Sequence, residues 1–243
     1  MEYIKLFNTT AEYNTYTAGD YAKPNVSYCV DANVVHYNPY VDPYAGHAYV
    51  EIGGLKWATM NVGATGITDT GLYFQWGDTQ GYTAAQVGTD KNFSWADYKY
   101  TNDGGSTMSK YNSSDGLTTL QASDDALVAN WGGSWRMPTT AEFQALGNAV
   151  NTAWTADYQG SGVAGLICTD NNDSSKVLFF PAAGFCDDGG VYGVGNSGYY
   201  WSSSLYSSYV KGGFRLYFGN EEAYWGYDSL RVFGYPVRGV VGE

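Results

Sequence analysis

The chain has 243 residues, a formal net charge of −12 and an aromatic content of 17%, with 24 Tyr and 8 Trp. A chain of this length forms one large domain or one domain with an appendage, and its aromatic residues can bury a sizeable core. The acidic balance argues against nucleic acid as a partner, because a phosphate backbone would be repelled. Of only four Arg, three (Arg215, Arg231 and Arg238) fall in the last thirty residues, a clustering that structural roles explain as well as functional ones.

Residues 1–47 are predicted to form an N-terminal β arm for docking or assembly. Their short strand-like pieces are broken by Pro24, Asn33 and Pro39 and cannot enclose a core by themselves. The start MEYIKLFNTT has an acidic residue and no apolar run, so we expect no secretory signal and no membrane insertion. The expected site of synthesis is a cytoplasm, with release by a route such as lysis if the protein acts outside a cell.

Residues 48–243 are predicted to form the main domain. The run YVEIGGLKWATMNVG predicts two strands around a turn at Gly53 and Gly54, and residues 88–118 lack periodicity, as is typical of irregular loops. Two helices precede a half that consists of strand and turn patterns after residue 160. This order indicates an α+β domain.

The two predicted helices begin at recognisable caps. In SDDALVANW, Ser123 is the candidate N-cap residue, followed by acidic residues that suit the positive end of the helix dipole. In PTTAEFQALGNAV, Thr139 and Glu142 have the spacing of a capping box. Phe143, Leu146 and Val150 are then spaced to share one buried face.

Catalytic chemistry finds little support in the sequence, and we expect no enzyme activity and no cofactor. The only two histidines, His36 and His47, lie near the arm, which disfavours Ser-His-Asp and Cys-His sites. The stretch GVGNSG at 193–198 matches a dinucleotide fingerprint, but a strand pattern follows it instead of a helix. The adjacent acids of Asp187-Asp188 and Glu221-Glu222 would point to opposite faces of an extended chain.

Metal and disulfide chemistry are also weakly indicated. DNNDSS at 170–175 resembles half a calcium loop but lacks the turn glycine and the closing Glu, so a solvated turn is favoured and no metal ligand is assigned. Cys29, Cys168 and Cys186 are too few for a disulfide framework. Cys168 and Cys186 either pair with each other or remain buried free thiols.

The segment from Tyr199 to Tyr235 has 13 aromatic residues in 37, mixed with Ser, Gly, Asn and Asp, which is the composition of antibody paratopes. In GFRLYFG, strand alternation directs Phe214, Leu216 and Phe218 to the core, and Arg215 and Tyr217 to the opposite face. The following NEEAYWGYDSL is too polar for a buried strand and too aromatic for an ordinary loop. We therefore expect the tyrosine side chains at positions 206, 209, 217, 224 and 227 to be exposed at the surface instead of buried.

Several motifs carry a family resemblance from about residue 48 to the end. VEIGGLKWATMNVG, YFQWGD, WGGSWRMPTTAEFQAL, FFPAAGF, YYWSSSL and GYPVRGV resemble, in the same order, the C-type-lectin-like "major paralogous domain" proteins, which are distantly similar to formylglycine-generating enzymes. The resemblance implies a C-type lectin-like fold. The enzymes' late cysteine pair and the sugar-binding EPN and WND motifs are missing, so oxidase activity and calcium-mediated sugar binding do not follow.

The C-terminal segment resembles the variable proteins of diversity-generating retroelements, in which a reverse transcriptase randomises adenines, mostly in Asn codons. The resemblance implies a variable region at about 201–240, in which tryptophan stays fixed because its codon has no adenine. The implied ligand-binding positions are Tyr206, Tyr209, Gly212, Arg215, Tyr217, Gly219, Tyr224, Gly226, Tyr227, Asp228, Leu230, Val232 and Phe233. The scaffold positions are Trp201, Phe214, Leu216, Phe218, Trp225, Arg231, Trp131 and Trp135.

The N-terminal stretch is similar to leaders of virion-associated proteins of gut bacteria and their phages. The expected function is therefore recognition of a protein or glycan on a bacterial cell surface, by a phage tail component or at the cell exterior, with assembly in a virion or as a homo-oligomer through the arm. The competing hypothesis is a structural or adhesive domain of the same fold whose C-terminal sequence is constant.

Overall fold

A computed structural model describes the backbone of three strands near the N-terminus (Ile4–Phe7, Ser27–Val30 and Val34–His36) and residues 44–242 in full. The chain divides into two compact units, residues 1–46 and 47–243, one residue from the boundary predicted from the sequence. In the first unit, β1 (Ile4–Phe7) runs parallel to β2 (Ser27–Val30), which pairs antiparallel with β3 (Val34–His36). The predicted interruptions at Pro24, Asn33 and Pro39, and the side chains of Cys29 and His36, lie outside the described residues.

The second unit is a mixed α+β domain, as the sequence predicts. Within residues 47–242 its two α-helices are α1 (Ala126–Asn130) and α2 (Thr140–Ala149). Single 3₁₀ turns occupy Ala84–Gln86, Trp95–Asp97, Ala122–Asp124 and Tyr158–Gly160. The strands are β4 (Tyr49–Ile52), β5 (Leu55–Asn61), β6 (Val150–Thr155), β7 (Gly165–Asp170), β8 (Val177–Pro181), β9 (Phe185–Asp187), β10 (Gly190–Tyr192), β11 (Gly198–Leu205), β12 (Gly212–Phe218), β13 (Ala223–Leu230) and β14 (Arg238–Val241).

These strands form small antiparallel sheets with the orders β14-β5-β4, β6-β7-β8, β10-β9 and β11-β12-β13. The hairpin predicted around Gly53 and Gly54 is confirmed, and both glycines have positive φ (63° and 78°), as a tight turn between twisted strands requires. Residues 88–118 contain no strand and only the 3₁₀ turn at 95–97, so the irregular loop is confirmed.

The start of α2 is confirmed and that of α1 is not. Thr139 Oγ1 accepts a hydrogen bond from Glu142 N (3.2 Å), and Glu142 Oε2 accepts one from Thr139 N (2.7 Å), which completes the capping box. Ser123 lies inside a 3₁₀ turn, and Asp125 is the N-cap of α1. The Asp125 carboxylate accepts hydrogen bonds from Leu127 N (2.8 Å) and from Met137 N (2.8 Å). It therefore caps α1 and also holds the segment that precedes α2.

The main core lies between α2 and the sheets. Phe143 and Leu146 of α2 and Val150 at the start of β6 share one buried cluster, as predicted, with Leu216 and Phe218 of β12. Burial of each large side chain stabilises the fold by about 1.5–3 kcal/mol. This core covers one side of the β11-β12-β13 sheet. On the other side Tyr224 and Tyr227 are exposed, while Tyr235 packs on the buried Trp201 with ring centroids 4.3 Å apart.

Residues 231–237 return across the domain without forming a strand, and the chain re-enters a sheet only at β14. Single bridges tie Tyr235 to Phe74 and Gly234 to Cys186. None of the helices in the described part of the chain is long and apolar enough to span a membrane.

Candidate ligand-binding face

Two rows of side chains cross the β11-β12-β13 sheet on the side away from the main core. In the first row, Tyr199 pairs with Tyr217, and Tyr217 pairs with Tyr224. In the second row, Trp201 pairs with Arg215, and Arg215 pairs with Tyr227. Directly opposed residues of neighbouring strands lie on the same face of a sheet, so the register brings the aromatic rings together.

A β-bulge in β13 puts Tyr224 and Tyr227 on this common face. The register shifts by one residue between Arg215 and Tyr217 of β12, which leaves Trp225 and Gly226 together opposite Leu216. The two bulged residues lie on the α2 side: a Cβ on Gly147 would lie 2.6 Å from Trp225, and one on Gly226 would lie 2.9 Å from Thr140 Cγ2. Because of this extra residue, Tyr227 points to the same face as Tyr224.

Three exposed and four half-buried rings form one continuous surface, here called the aromatic face. The exposed rings are Tyr192, Tyr224 and Tyr227, and the half-buried rings are Phe185, Tyr199, Tyr217 and Phe233. Ring centroids are 5.1 Å apart for Tyr199 and Tyr217, and 6.0 Å for Tyr217 and Tyr224. Tyr224 and Tyr227 are 44% and 53% exposed. Phe185 lies beside Tyr199 with centroids 5.0 Å apart, and thus extends the face to β9.

Arg215 lies among these rings. Its guanidinium carbon is 4.8 Å from the ring centroid of Tyr199, 5.1 Å from that of Tyr217 and 5.3 Å from that of Tyr227, which are cation–π distances. Tyr235, only 1% exposed, lies beneath at 5.9 Å. The Nε and Nη1 atoms of Arg215 are buried without a hydrogen-bond partner among the described residues, a situation that typically costs about 1–3 kcal/mol for each group.

The other two C-terminal arginines are structural. Arg238 is fully buried and donates to Asn61 Oδ1 (2.8 Å), Ala58 O (3.0 Å) and Phe179 O (3.1 Å). Arg231, also fully buried, donates to the carbonyls of Lys110 and Tyr111. The arginine cluster noted in the sequence thus contains two residues that join chain segments and one that lies on the aromatic face.

Two phenols of the face have a raised pKa. Burial raises the pKa of Tyr217, and a hydrogen bond from Tyr224 Oη to Glu222 Oε2 (2.8 Å) raises the pKa of Tyr224. Burial, with the adjacent Asp188, also raises the pKa of Asp187 near the edge of the face. The surface therefore offers ring faces, hydroxyl groups and one guanidinium.

The thirteen positions implied as ligand-binding are divided by the structure. Arg215, Tyr217, Tyr224, Tyr227 and the half-buried Phe233 belong to the face around Arg215. Tyr206 and Tyr209 lie in the loop between β11 and β12, where Tyr209 is 48% exposed. Gly219, Gly226, Asp228 and Leu230 are half-buried at the strand edges and turn.

Val232 and Gly212 do not meet the prediction of an accessible position. Val232 is 3% exposed because residues 231–237 fold back over the domain, and Gln75 Nε2 donates to its carbonyl (2.9 Å). Gly212 is buried, and a Cβ there would lie 3.2 Å from Tyr209 O. Neither position can present a side chain to a ligand in this conformation.

Most of the scaffold positions are buried. Trp201, Leu216, Phe218 and Arg231 are fully enclosed, Trp135 is 1% exposed, and Trp225 packs partly buried against the core. Trp131 is half-buried and stacks on His47 with ring centroids 3.7 Å apart.

Phe214 differs from its prediction as a core residue. It is half-buried and packs edge-on against Tyr206, with centroids 5.2 Å apart. The pairing of β11 with β12 is irregular between Trp201 and Leu205, and serines occupy β11 at 202–204. These small side chains leave the Phe214 ring to be covered by the loop.

Sequence reasoning missed Phe185, Tyr192, Tyr199 and Tyr235. Tyr199 could have been found, because it precedes the core residue Tyr200 in GYYWSSSL and alternation directs it outward. Long-range bridges, Cys186 to Gly234 and Phe74 to Tyr235, bring Phe185 beside Tyr199 and Tyr235 beneath Arg215, and the sequence carries no local signal for them.

Residues 44–242 also contain acidic side chains and cavities outside the aromatic face. No group of three His, Cys, Asp or Glu in this range could hold a metal ion. Asp170 accepts a turn hydrogen bond from Asn172 N (2.7 Å), and Asp173 accepts one from Ser175 Oγ (2.6 Å). Cavities of about 360 and 130 Å³ lie beside residues 106–118, and one of about 140 Å³ lies beside the β12–β13 turn. No ring of the aromatic face lines these three cavities.

No protein-family model, curated protein or solved structure matches this chain.

Proposed function

We propose that this protein is a ligand-binding protein that recognises a molecule on a bacterial surface through its aromatic face, on a C-type lectin-like domain. The observation that carries the proposal is the arrangement of Tyr199, Tyr217, Tyr224 and Tyr227 around Arg215 on one side of a sheet whose other side is packed against the core. Tyr and Arg are enriched where binding energy concentrates.

The mechanism is recognition without chemistry. Residues on paired strands lose little conformational freedom on binding, because the sheet already holds their backbone. The rings of the aromatic face line none of the three cavities described above, and a surface of this kind suits a macromolecular ligand such as a protein or a glycan. Tyrosine rings contribute large contact areas at low entropic cost.

Diversification by a retroelement is part of the proposal. Its support is the position of the tryptophans in the segment: Trp201 is fully buried and Trp225 packs against the core, while Tyr224 and Tyr227 are exposed. Replacement of these tyrosines would change the surface and leave the packing of the sheet intact. On this proposal the protein acts as a component of a phage tail or at the cell exterior.

Binding to intact cells tests the proposal. Labelled protein is titrated against a panel of gut bacterial strains, with the Tyr224→Ser/Tyr227→Ser double variant and a Tyr49→Ser control. Tyr49 is 40% exposed on β4, in a different sheet. We expect at least tenfold weaker binding of the double variant and unchanged binding of the control. Equal binding of the double variant, or no binding to any strain, would contradict the proposal.

Sequencing of the neighbouring DNA tests the diversification separately. We expect a near-copy of codons 201–240 that differs only at adenines, close to a reverse transcriptase gene. Without such a copy, a constant adhesive domain becomes the better explanation of the aromatic face.

A further inference from the structure

Arg215 is the one arginine of the chain whose guanidinium makes no hydrogen bond or ion pair with the described residues. Arg136 pairs with Glu142, and Arg231 and Arg238 donate to backbone carbonyls. By contrast, Nε and Nη1 of Arg215 are buried and have no acceptor within residues 44–242. Nη2 also makes no hydrogen bond within residues 44–242 but is not among the buried atoms, so its two N–H donors remain available at this point of the aromatic face.

The surrounding rings hold the cation but do not neutralise it. Ring faces of Tyr199, Tyr217 and Tyr227 attract the guanidinium through their quadrupoles. The nearby carboxylate of Glu222 accepts from Tyr224 Oη (2.8 Å). Every ion pair among the described residues involves another cation, namely Lys91, Lys99, Lys110 or Arg136. One uncompensated positive charge therefore lies in the middle of the aromatic face of an acidic protein.

We propose that Arg215 receives a carboxylate of the ligand, while the aromatic face packs on the flat or apolar groups beside that carboxylate. This inference rests on the proposed function and adds the chemical class of the ligand. The accessible Nη2 can donate a charge-assisted hydrogen bond to a carboxylate, while Nε and Nη1 stay enclosed by the rings, and the full positive charge of the guanidinium attracts the anion. A phosphate dianion would accept such a bond too, but the net charge of −12 repels a double charge more strongly than a single one.

An acidic sugar and an acidic amino-acid side chain present this same group. The two sources differ in what surrounds it: a sugar ring offers a flat face to the tyrosines, and a Glu side chain offers only methylene groups. Stacking on Tyr224 and Tyr227, the most exposed rings beside Arg215, would favour the sugar.

The arginine side-chain NMR signals test the proposal on the native protein. The chain has four Arg, so four Nε–H signals are expected, and an Arg215→Gln variant assigns the one of interest by its loss. The probes are glucuronate and N-acetylglutamate amide, with glucose and N-acetylglutamine amide as neutral counterparts and inorganic phosphate as the dianion. Arg136, already paired with Glu142 at 2.5 Å, is the internal control.

We expect a saturable shift of the Arg215 signal with at least one carboxylate probe, with a dissociation constant on the order of 10 mM for so small a contact. The neutral counterparts and the Arg136 signal should show no such shift. The tighter of the two carboxylates identifies the source. No saturable shift with either carboxylate, or a larger effect of phosphate, would overturn the proposal.

The two proposals fail separately. If the carboxylates leave Arg215 unaffected but the Tyr224→Ser/Tyr227→Ser variant loses cell binding, the aromatic face remains the binding site and its charge preference is wrong. If the carboxylates bind Arg215 but the tyrosine variant still binds cells, the anion site remains and recognition through the aromatic face is wrong. A thermal midpoint within about 4 °C of wild type for each variant shows that folding is preserved.

Discussion

Tyr224 and Tyr227 are three residues apart in one strand, yet their ring centroids lie 5.6 Å from each other on one face of the sheet. Simple alternation would put residues at this odd spacing on opposite faces. The bulge at Trp225 and Gly226 removes the conflict, because both bulged residues lie toward α2. A local irregularity of the backbone thus separates the rings that contact solvent from the tryptophan that contacts the core.

The first prediction follows from this separation. We expect the Tyr224→Ser/Tyr227→Ser variant to lose about 1 kcal/mol or less of unfolding free energy, since only ring contacts at the surface disappear. Trp225→Ala should cost about 3 kcal/mol, because it leaves a cavity against Gly147 and the core. Denaturant unfolding measures both. A loss for the tyrosine variant as large as that for Trp225→Ala would show that the aromatic face supports the fold.

Glycines in the segment give a second prediction. A Cβ on Gly219 would lie 3.7 Å from Tyr217 Oη, an ordinary contact, whereas one on Gly226 would lie 2.9 Å from both Thr140 Cγ2 and Gln144 Nε2. We expect Gly219→Tyr to change the unfolding free energy by about 0.5 kcal/mol or less, and Gly226→Tyr to cost about 1–3 kcal/mol from overpacking. Thermal melts of the two variants check this order, and equal costs would refute it.

These results indicate how far the sequence could predict the site. Alternation in GFRLYFG correctly predicted that Arg215 and Tyr217 lie on one face of the sheet and Leu216 and Phe218 on the other. The prediction succeeds because a period of two is a local property of strands. The same rule misjudged Phe214, whose burial depends on the irregular partner strand. The bulge that brings Tyr227 beside Tyr224 depends on pairing with β12 and packing against α2, neither of which a single strand encodes.

Helix starts show the same limit. The capping box of Thr139 and Glu142 involves only neighbours in sequence, and it forms as predicted. Ser123 and Asp125 are both good N-caps, so local preference does not choose between them. A tertiary contact decides, since Asp125 also accepts a hydrogen bond from Met137 N. Contacts from distant segments likewise bring Phe185 beside Tyr199 and Tyr235 beneath Arg215.

Asp124 gives a third prediction, about acid stability. Burial opposes ionisation of its carboxyl, but Lys110 at 2.5 Å, Tyr111 and Lys99 outweigh it and lower the pKa to about 2, from 3.8. A lowered folded-state pKa stabilises the fold above the unfolded pKa, and this contribution is lost as the pH falls toward 2. We expect Asp124→Asn to lose roughly 1–2 kcal/mol near neutral pH.

The difference between wild type and Asp124→Asn should therefore shrink between about pH 4 and pH 2. Unfolding by urea at a series of pH values measures it. Glu221→Gln is the control, because Glu221 is exposed on the β12–β13 turn and makes no ion pair with the described residues, so it should change the unfolding free energy by about 0.5 kcal/mol or less at every pH. A constant difference down to pH 2 would refute the assigned role of Asp124.

The fourth prediction concerns the thiols, for which the sequence left pairing open. Cys168 and Cys186 are free and fully buried, and they belong to different clusters, Cys168 with Tyr200 and Cys186 with Tyr73. Burial raises the pKa of both, and the thiolate is the reactive form. In a Cys29→Ser variant we expect no thiol to react with a disulfide reagent at neutral pH until denaturant unfolds the domain. Rapid reaction of the native variant, or the mass of an intramolecular disulfide, would contradict this arrangement of the core.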